Sequence, residues 1–449
     1  MDRVLPQLRA DILREAALGI LRKNDVGGWT KPAPRLYPHQ WSWDSALIAV
    51  GLVHIDADRA IRELETLFAA QWSDGRVPHI VFNPSAKEYF PGADWWASSR
   101  TSTVAPREPA TSGLIQPPVH AIALARIFDV VQSGGLHALE PRIRDLYPRF
   151  LAWHRYLVEC RDATSSGLLT IYHPWESGTD NSPRWDSCLA RLEVGDMPGF
   201  ERHDLKHVED PAERPTHLEY HRYLWLVHLL KQANYSDEVI QRDFPFQIGD
   251  VLMSAIFAAA NHCLAGIAAQ LARPHSETDE LLAWSDRFRR GVERAWDDQL
   301  GLALDWDAGV NAPVRVQTCA GLSPLLLPDL SDAVRDGVMA STFGPRFAGA
   351  DGLAYGVVPS TAPGSPGFHA RSYWRGPTWP VANWLLWWGM LRQGFEAQAE
   401  AIRIAYLELL EHPEAQFAEY FDPFTAEPLG SREQSWTASI ALDWLAHTR

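Results

Sequence analysis

Apolar positions recur at helical spacing along most of this chain. Over 56–72, Ile61, Leu64, Leu67, Phe68 and Trp72 share one helical face, with Asp58 placed to cap it. Over 276–297, Leu281, Trp284, Phe288, Val292 and Trp296 do the same behind a capping box of Ser276 and Asp279. The same period predicts helices near 42–54, 117–132, 138–159, 217–233, 379–393, 395–410 and 435–447. Alternation of period two, the mark of half-buried strands, is nearly absent. The stretch 251–268 is apolar on every side, and beside the one-faced 276–297 it predicts an inner helix paired with an outer one. Repeated pairs of that kind make an all-α protein of layered antiparallel helices.

No sequence repeat and no low-complexity linker divides the chain, so 1–449 reads as a single domain. Three polar segments rich in Pro, Gly and Ser interrupt the helices, at about 83–115, 193–216 and 340–377. Loops of this length inside a domain are lids or binding loops, or else plain surface decoration.

Composition narrows the partners. At 46% hydrophobic the chain can bury a large core, and 41 basic against 56 acidic residues leave a net charge of −15. That field disfavours nucleic acid and anionic membrane, although a few Arg side chains can reverse the potential within one pocket. The N-terminal stretch MDRVLPQLRADILREAALGILRK mixes charged and apolar residues at helical spacing and lacks the apolar core of a signal peptide. Residues 251–273 include Ser254, Asn261, His262 and Gln270, which fits a buried helix rather than a membrane span. Four cysteines with no CxxC pair suit reduced thiols in a cytoplasm and suggest no zinc site. No compact His-containing ligand set occurs, so neither metal nor other cofactor is expected. A homo-oligomer is compatible with this reading.

Tryptophan changes the picture: there are 20, several of them beside carboxylates. Indole faces suit the C–H faces of sugar rings, though core packing is the ordinary role of any single one. HPWESGTDNSPRWD (173–186) sets Glu176, Asp180 and Asp186 among Trp175, Trp185 and Arg184, broken by Gly178 and Pro183. A carboxyl in such an aromatic loop is held protonated towards neutrality, as a general acid must be. The plain alternative is that Asp180 and Glu176 cap turns or pair with Arg184. FAEYFDPFTAEPLGSREQSW (417–436) places Glu419 before Tyr420 and Phe421, a turn at Asp422-Pro423, then Gln434, with Ser435 able to cap the last helix. YPHQWSWDSA (37–46) sets Tyr37, Trp41 and Trp43 around Asp44, which serves either as a helix cap or as a ligand for adjacent sugar hydroxyls. In YWRGPTWPVANWLLWW (373–388), Thr378 is placed to cap a helix with Pro380 in its first turn. Trp384, Trp387 and Trp388 read as core, and Tyr373, Trp374 and Trp379 as site-lining. His39, His79 and His173 lie in loops near these motifs, as substrate contacts or as satisfied polar residues.

WESGTDNSPRWD with the downstream EYFDPFTAEPLG and SW resembles the clan of inverting α-glycosidases that contains glycoside hydrolase family 63 and the trehalases. With GRVPHIVFNP (75–84), SGLIQPPVHA (112–121) and YWRGPTWP (373–380), the chain most resembles the bacterial mannosylglycerate and glucosylglycerate hydrolases of family 63. The resemblance implies an (α/α)6 barrel with its loop insertions as a lid, Asp180 as general acid and Glu419 as general base. It implies Asp44, Trp41 and Trp379 on the reacting sugar, and Tyr89, Gln116, Arg214, Tyr220 and Gln434 on the glycerate. An Arg with Tyr donors is what a carboxylate wants, although Arg214 can equally pair with Glu213 or Glu219. Trehalases commonly carry Trp before the acid where this chain has Thr179, which favours the glycerate-glycoside branch.

The implied reaction is hydrolysis of an α-linked glucosyl- or mannosyl-glycerate. A trehalase-like α-glucosidase acting on neutral disaccharides is the nearest rival. A sugar epimerase and a non-catalytic sugar-binding protein are rivals of other classes.

Overall fold

The computed structural model describes residues 7–447 apart from 87, 163, 207 and 209, so the start of the charged N-terminal segment lies outside it. Among the described residues, six elements pack each against the next in a closed circle. They are Ser42–Leu52, His120–Ser133, Val251–Gln270, the 3-10 segment Cys319–Leu326, Pro380–Arg392 and Ser435–Ala446, the last returning to the first. Each carries a second helix on its outside: in the same order Ala57–Ala69, Glu140–Arg161, His275–Arg294, Asp332–Thr342, Glu396–Leu410 and Gln7–Asn24.

Burial separates the layers as the periodicity does. Every residue of Ser42–Leu52 is buried, whereas His275–Arg294 buries Leu281, Ser285, Phe288, Gly291 and Val292 and exposes its other face. Val251–Gln270 is long and apolar enough to cross a membrane, yet 78% of its most apolar window is covered by the protein itself.

Several caps differ from expectation. Asp56 rather than Asp58 accepts the Arg59 N–H at the start of Ala57–Ala69. His275–Arg294 begins after Pro274 with no side-chain cap, so Ser276 and Asp279 form no box there. A capping box does occur between Thr216 and Glu219, opening His217–Gln232. Thr378 and Ser435 also cap nothing: their hydroxyls donate to the carbonyls of Val358 and Lys31. Asp44 lies in the first turn of its helix without a capping bond.

The strands, two or three residues long, are too short to leave a periodic signature. Leu169–Ile171, Ile248–Asp250, Trp306–Asp307 and Ala312–Pro313 form one antiparallel sheet. Gln40–Trp41 pairs with Ile80–Val81, and Tyr420–Phe421 with Pro428–Leu429. Three of these strands, Gln40–Trp41, Ile248–Asp250 and Pro428–Leu429, lead into or towards inner helices. The polar segments are not bare loops: 83–115 contains helices Ala93–Trp96 and Ser98–Thr101, and 340–377 ends in the 3-10 turn Tyr373–Arg375.

Candidate active site

Asp180 sits in a turn held from both sides. The 3-10 turn Pro174–Ser177 ends at Gly178, whose φ of +69° suits glycine and whose absent Cβ would lie 2.8 Å from Cη2 of Trp43. The Thr179 hydroxyl accepts from Arg184 Nη2 at 2.8 Å and its carbonyl from Trp185 Nε1 at 3.0 Å. Beyond the acid, Tyr223 donates to the Asp180 carbonyl at 3.0 Å, and Trp374 N–H to Asn181 Oδ1 at 3.0 Å. The main chain is thereby fixed while the carboxyl faces the cavity, half-buried by surface yet walled by protein on its other sides. Burial pushes its pKa up to about 7, against the pull of the Arg214 charge and with the help of the Glu419 charge.

Glu419 is held differently. Its N–H donates to Ser431 O at 2.9 Å, beside the strand pair Tyr420–Phe421 and Pro428–Leu429. Oε2 accepts the Ser431 N–H at 3.0 Å, and Oε1 accepts the Tyr37 hydroxyl at 2.7 Å and, more weakly, that of Tyr373 at 3.5 Å. These donors fix the direction in which the carboxyl group faces. Gly430 makes the arrangement fit: its φ is +68°, and a Cβ there would lie 2.7 Å from Glu419 Oε2.

Arg214 pairs with neither Glu213 nor Glu219. Glu213 accepts from Gly430 N–H and Arg371, and Glu219 from Thr216. Arg214 is buried, with its guanidinium 4.2 Å above the Tyr373 ring and Nη1 donating to the Tyr37 hydroxyl at 3.1 Å. Asp204, 3.6 Å from Nε, supplies part of its counter-charge. Asp44 is a further carboxyl of the cavity. Burial raises its pKa well above the usual range, aided by the charges of Glu419, Asp180 and Glu63.

The cavity holds about 1030 Å³ of atom-free space including its open mouth, at the upper end of small-ligand sites. Of the residues expected there, Tyr37, Trp41, Trp43, Asp44, Tyr89, Gln116, Trp175, Asp180, Arg214, Tyr220, Tyr373, Trp374, Glu419 and Gln434 line it. Two expectations need correcting. Glu176 is fully buried away from the cavity, ion-paired to Arg161 at 2.9 Å, and so has no free oxygen for a ligand. Trp379 lies behind Trp374, stacked on it at 3.8 Å between ring centroids, and only the front indole meets the cavity. Arg184 also leaves the site, because Asp305 binds it at 2.9 Å.

His79 lines the cavity, whereas His39 and His173 stand behind it. Residues without an expectation also reach it, among them Glu88, Trp96, His203, Asp204 and Trp436. Trp436 closes the 417–436 motif, and its indole N–H has no partner among the described residues. Its place two residues after Gln434 is the signal in the sequence that points to it. The three polar segments all contribute walls: Tyr89 and Trp96, then Asp204 and Arg214, then Tyr373 and Trp374.

Carboxyls in unequal environments, Asp180, Glu419 and Asp44 among them, thus face one cavity lined by indoles. Residues 37–437 match the family described as mannosylglycerate hydrolase MGH1-like glycoside hydrolase domain. The glucosylglycerate hydrolase of Mycolicibacterium hassiacum is 43% identical over 98% of this chain and 99% of its own length. The mannosylglycerate hydrolase of Thermus thermophilus is 39% identical over 95% of this chain and 99% of its own. A crystal structure of the GH63 mannosylglycerate hydrolase from Thermus thermophilus, in complex with Tris and D-glycerate, has a TM-score of 0.87 at 39% identity. That match covers 96% of this chain and 99% of the other. The chain belongs to the MGH1-like family of glycoside hydrolases. The neutral trehalase Nth1 of Saccharomyces cerevisiae, 15% identical at a TM-score of 0.57, shares the fold alone.

Proposed function

We propose that this chain hydrolyses an α-linked glucosyl- or mannosyl-glycerate with inversion, with Asp180 as general acid and Glu419 as general base. The observation that carries the reading is the contrast between two carboxyls of one cavity. Asp180 is poised near pH 7 and takes no hydrogen bond from another side chain among the described residues, while Glu419 is surrounded by donors. Environments that separate two carboxyls in this way assign acid and base.

In the reaction, Asp180 gives its proton to the glycosidic oxygen as the C1–O bond breaks. Glu419 takes a proton from a water that attacks C1 on the opposite face, for which inverting sites leave about 6.5–9.5 Å between carboxyls. Asp44 and Trp41 hold the reacting hexose. Arg214, Tyr89 and Gln116 receive the glycerate, with the guanidinium opposite its carboxylate. Relatives named for both glucosylglycerate and mannosylglycerate support the glycerate half of the substrate.

The same reading takes the closed circle of inner elements with its outer helices as an (α/α)6 barrel in one domain, and the three polar segments as a lid over its mouth. Four free cysteines and the acidic net charge support action in a reducing cytoplasm on a small molecule, without nucleic acid or membrane.

Proton NMR of the enzyme with α-glucosylglycerate and, separately, α-mannosylglycerate tests the proposal. Early β-anomer of the free hexose is expected. Early α-anomer overturns inversion. Reaction of neither, with release from a neutral α-glucoside, overturns the glycerate assignment.

A further inference from the structure

Glu176 stands four residues before Asp180 in the same motif, yet it faces the protein interior. Its Oε2 accepts the Tyr172 N–H at 2.8 Å and Arg161 Nη1 at 2.9 Å, and its Oε1 accepts the Ile115 N–H at 3.3 Å. One carboxylate thus ties the acid-bearing turn to a second cavity wall, since Ile115 precedes Gln116, whose side chain accepts the Trp43 N–H at 3.2 Å. Arg161, at the end of Glu140–Arg161, is itself held by the Tyr156 hydroxyl at 3.3 Å and lies 3.6 Å from Asp237. Asp237 pairs with Arg76 at 2.6 Å, and Arg76 Nη1 donates to the Gly113 carbonyl at 3.1 Å. The wall that carries Gln116 is therefore gripped at both Gly113 and Ile115 by one buried charge chain.

The path from Glu176 to the acid is short and stiff. Ser177 Oγ accepts the Thr179 N–H at 3.0 Å, and Gly178 makes the left-handed turn between them. An apolar residue of the same size would fill the space but leave two buried N–H groups without a partner and take from the buried Arg161 guanidinium its nearest counter-charge. A displacement of the turn by about 1 Å is enough to cost on the order of 100-fold in rate.

We infer that Glu176 is the positioning residue of the acid: through Arg161 and the two backbone N–H groups it holds Asp180 at the glycosidic oxygen, without touching substrate itself. This rests on the reading of Asp180 as general acid. Such a role has a sharp consequence, because a leaving group that departs without a proton does not need the acid. Hydrolysis of an α-glycosyl fluoride breaks C–F as water adds to C1, with the water proton passing to Glu419 and fluoride leaving as the anion.

The test measures kcat and KM of Glu176→Gln on the glycerate glycoside and on the matching α-glycosyl fluoride, with Asp180→Asn in parallel. Expected is a loss of about 10–100-fold in kcat on the glycerate glycoside, with KM and fluoride turnover little changed. Equal losses on both substrates, or no loss on either, overturn the inference and leave Glu176 a structural residue. The parallel variant separates the two levels: if Asp180→Asn loses fluoride turnover as severely as glycoside turnover, the acid assignment itself fails. Arg161→Lys, which keeps the charge but not the fork, answers the same question if Glu176→Gln does not fold. Selective loss on the glycerate glycoside supports the inference, and equal loss overturns it.

Discussion

The Tyr37 hydroxyl donates to Oε1 of Glu419 at 2.7 Å. That hydroxyl oxygen also accepts from Arg214 Nη1 at 3.1 Å, so the cation assigned to the glycerate end of the substrate is one hydroxyl away from the base. Tyr373 closes the group from the other side, its ring beneath Arg214 and its hydroxyl 3.3 Å from that of Tyr37.

Tyr37→Phe removes the shorter of the two hydroxyl bonds to Glu419 and leaves the Ser431 N–H and the longer Tyr373 contact. A hydrogen bond to a charged group is worth about 1.5–3 kcal/mol, so kcat falls by roughly 10–100-fold. Steady-state kinetics on the glycerate glycoside measure it. An unchanged kcat means that Tyr37 does not orient the base.

The Asp180 carboxyl, raised by burial to about 7, must be protonated to act, so kcat declines as pH rises through about 7. Asp180→Asn abolishes that limb and lowers turnover of the glycerate glycoside by about 10²–10⁴-fold. Stability follows the same ionisation. Folding lifts this pKa from 3.8 to about 7, so ionisation destabilises the fold progressively between those values and most fully above 7. The Asn variant accordingly melts above the wild type at about pH 8, and the gap shrinks as pH falls towards about 4. Calorimetry across that range checks the sign.

Arg214→Lys keeps the charge but gives up the planar fork, the stacking on Tyr373 and the geometry towards Tyr37. The expected result is a rise in KM of about tenfold or more for glycerate glycosides, while a neutral α-glycoside loses only the share transmitted through Tyr37. Equal losses on both substrates would remove Arg214 from glycerate recognition.

Gly430→Ala puts a methyl 2.4 Å from Cε1 of Tyr420 and 2.7 Å from Glu419 Oε2, on backbone at a φ of +68°. The strand pair beneath the base must then shift. Loss of turnover on the glycerate glycoside and on the glycosyl fluoride alike is expected, since both need the base. This pattern is the opposite of the one predicted for Glu176→Gln, and measuring the two variants side by side makes the contrast decisive.

The cavity-lining residues were legible because carboxylates and indoles cluster within short motifs, and the helices because one-sided burial repeats every turn. Both signals are local properties of the chain. Facing is not local. Asp180 and Glu176 are four residues apart in one motif, and their opposite directions depend on Gly178 and on Arg161 from a separate helix. Trp374 and Trp379 carry the same side chain, yet one meets the cavity and the other is stacked behind it with its indole N–H donated to the Tyr373 carbonyl. Arg214 has a Glu beside it and another five residues on, yet its partners come from residues 37, 204 and 373. Asp56 and Asp58 look alike as caps in the sequence, and Asp56 takes the role with extended backbone while Asp58 falls inside the first turn. The sequence by itself thus determined the helical periods, the family resemblance and the set of reactive side chains. Tertiary structure alone decided which of those side chains meet, because partners separated by tens to hundreds of residues set the direction each one faces.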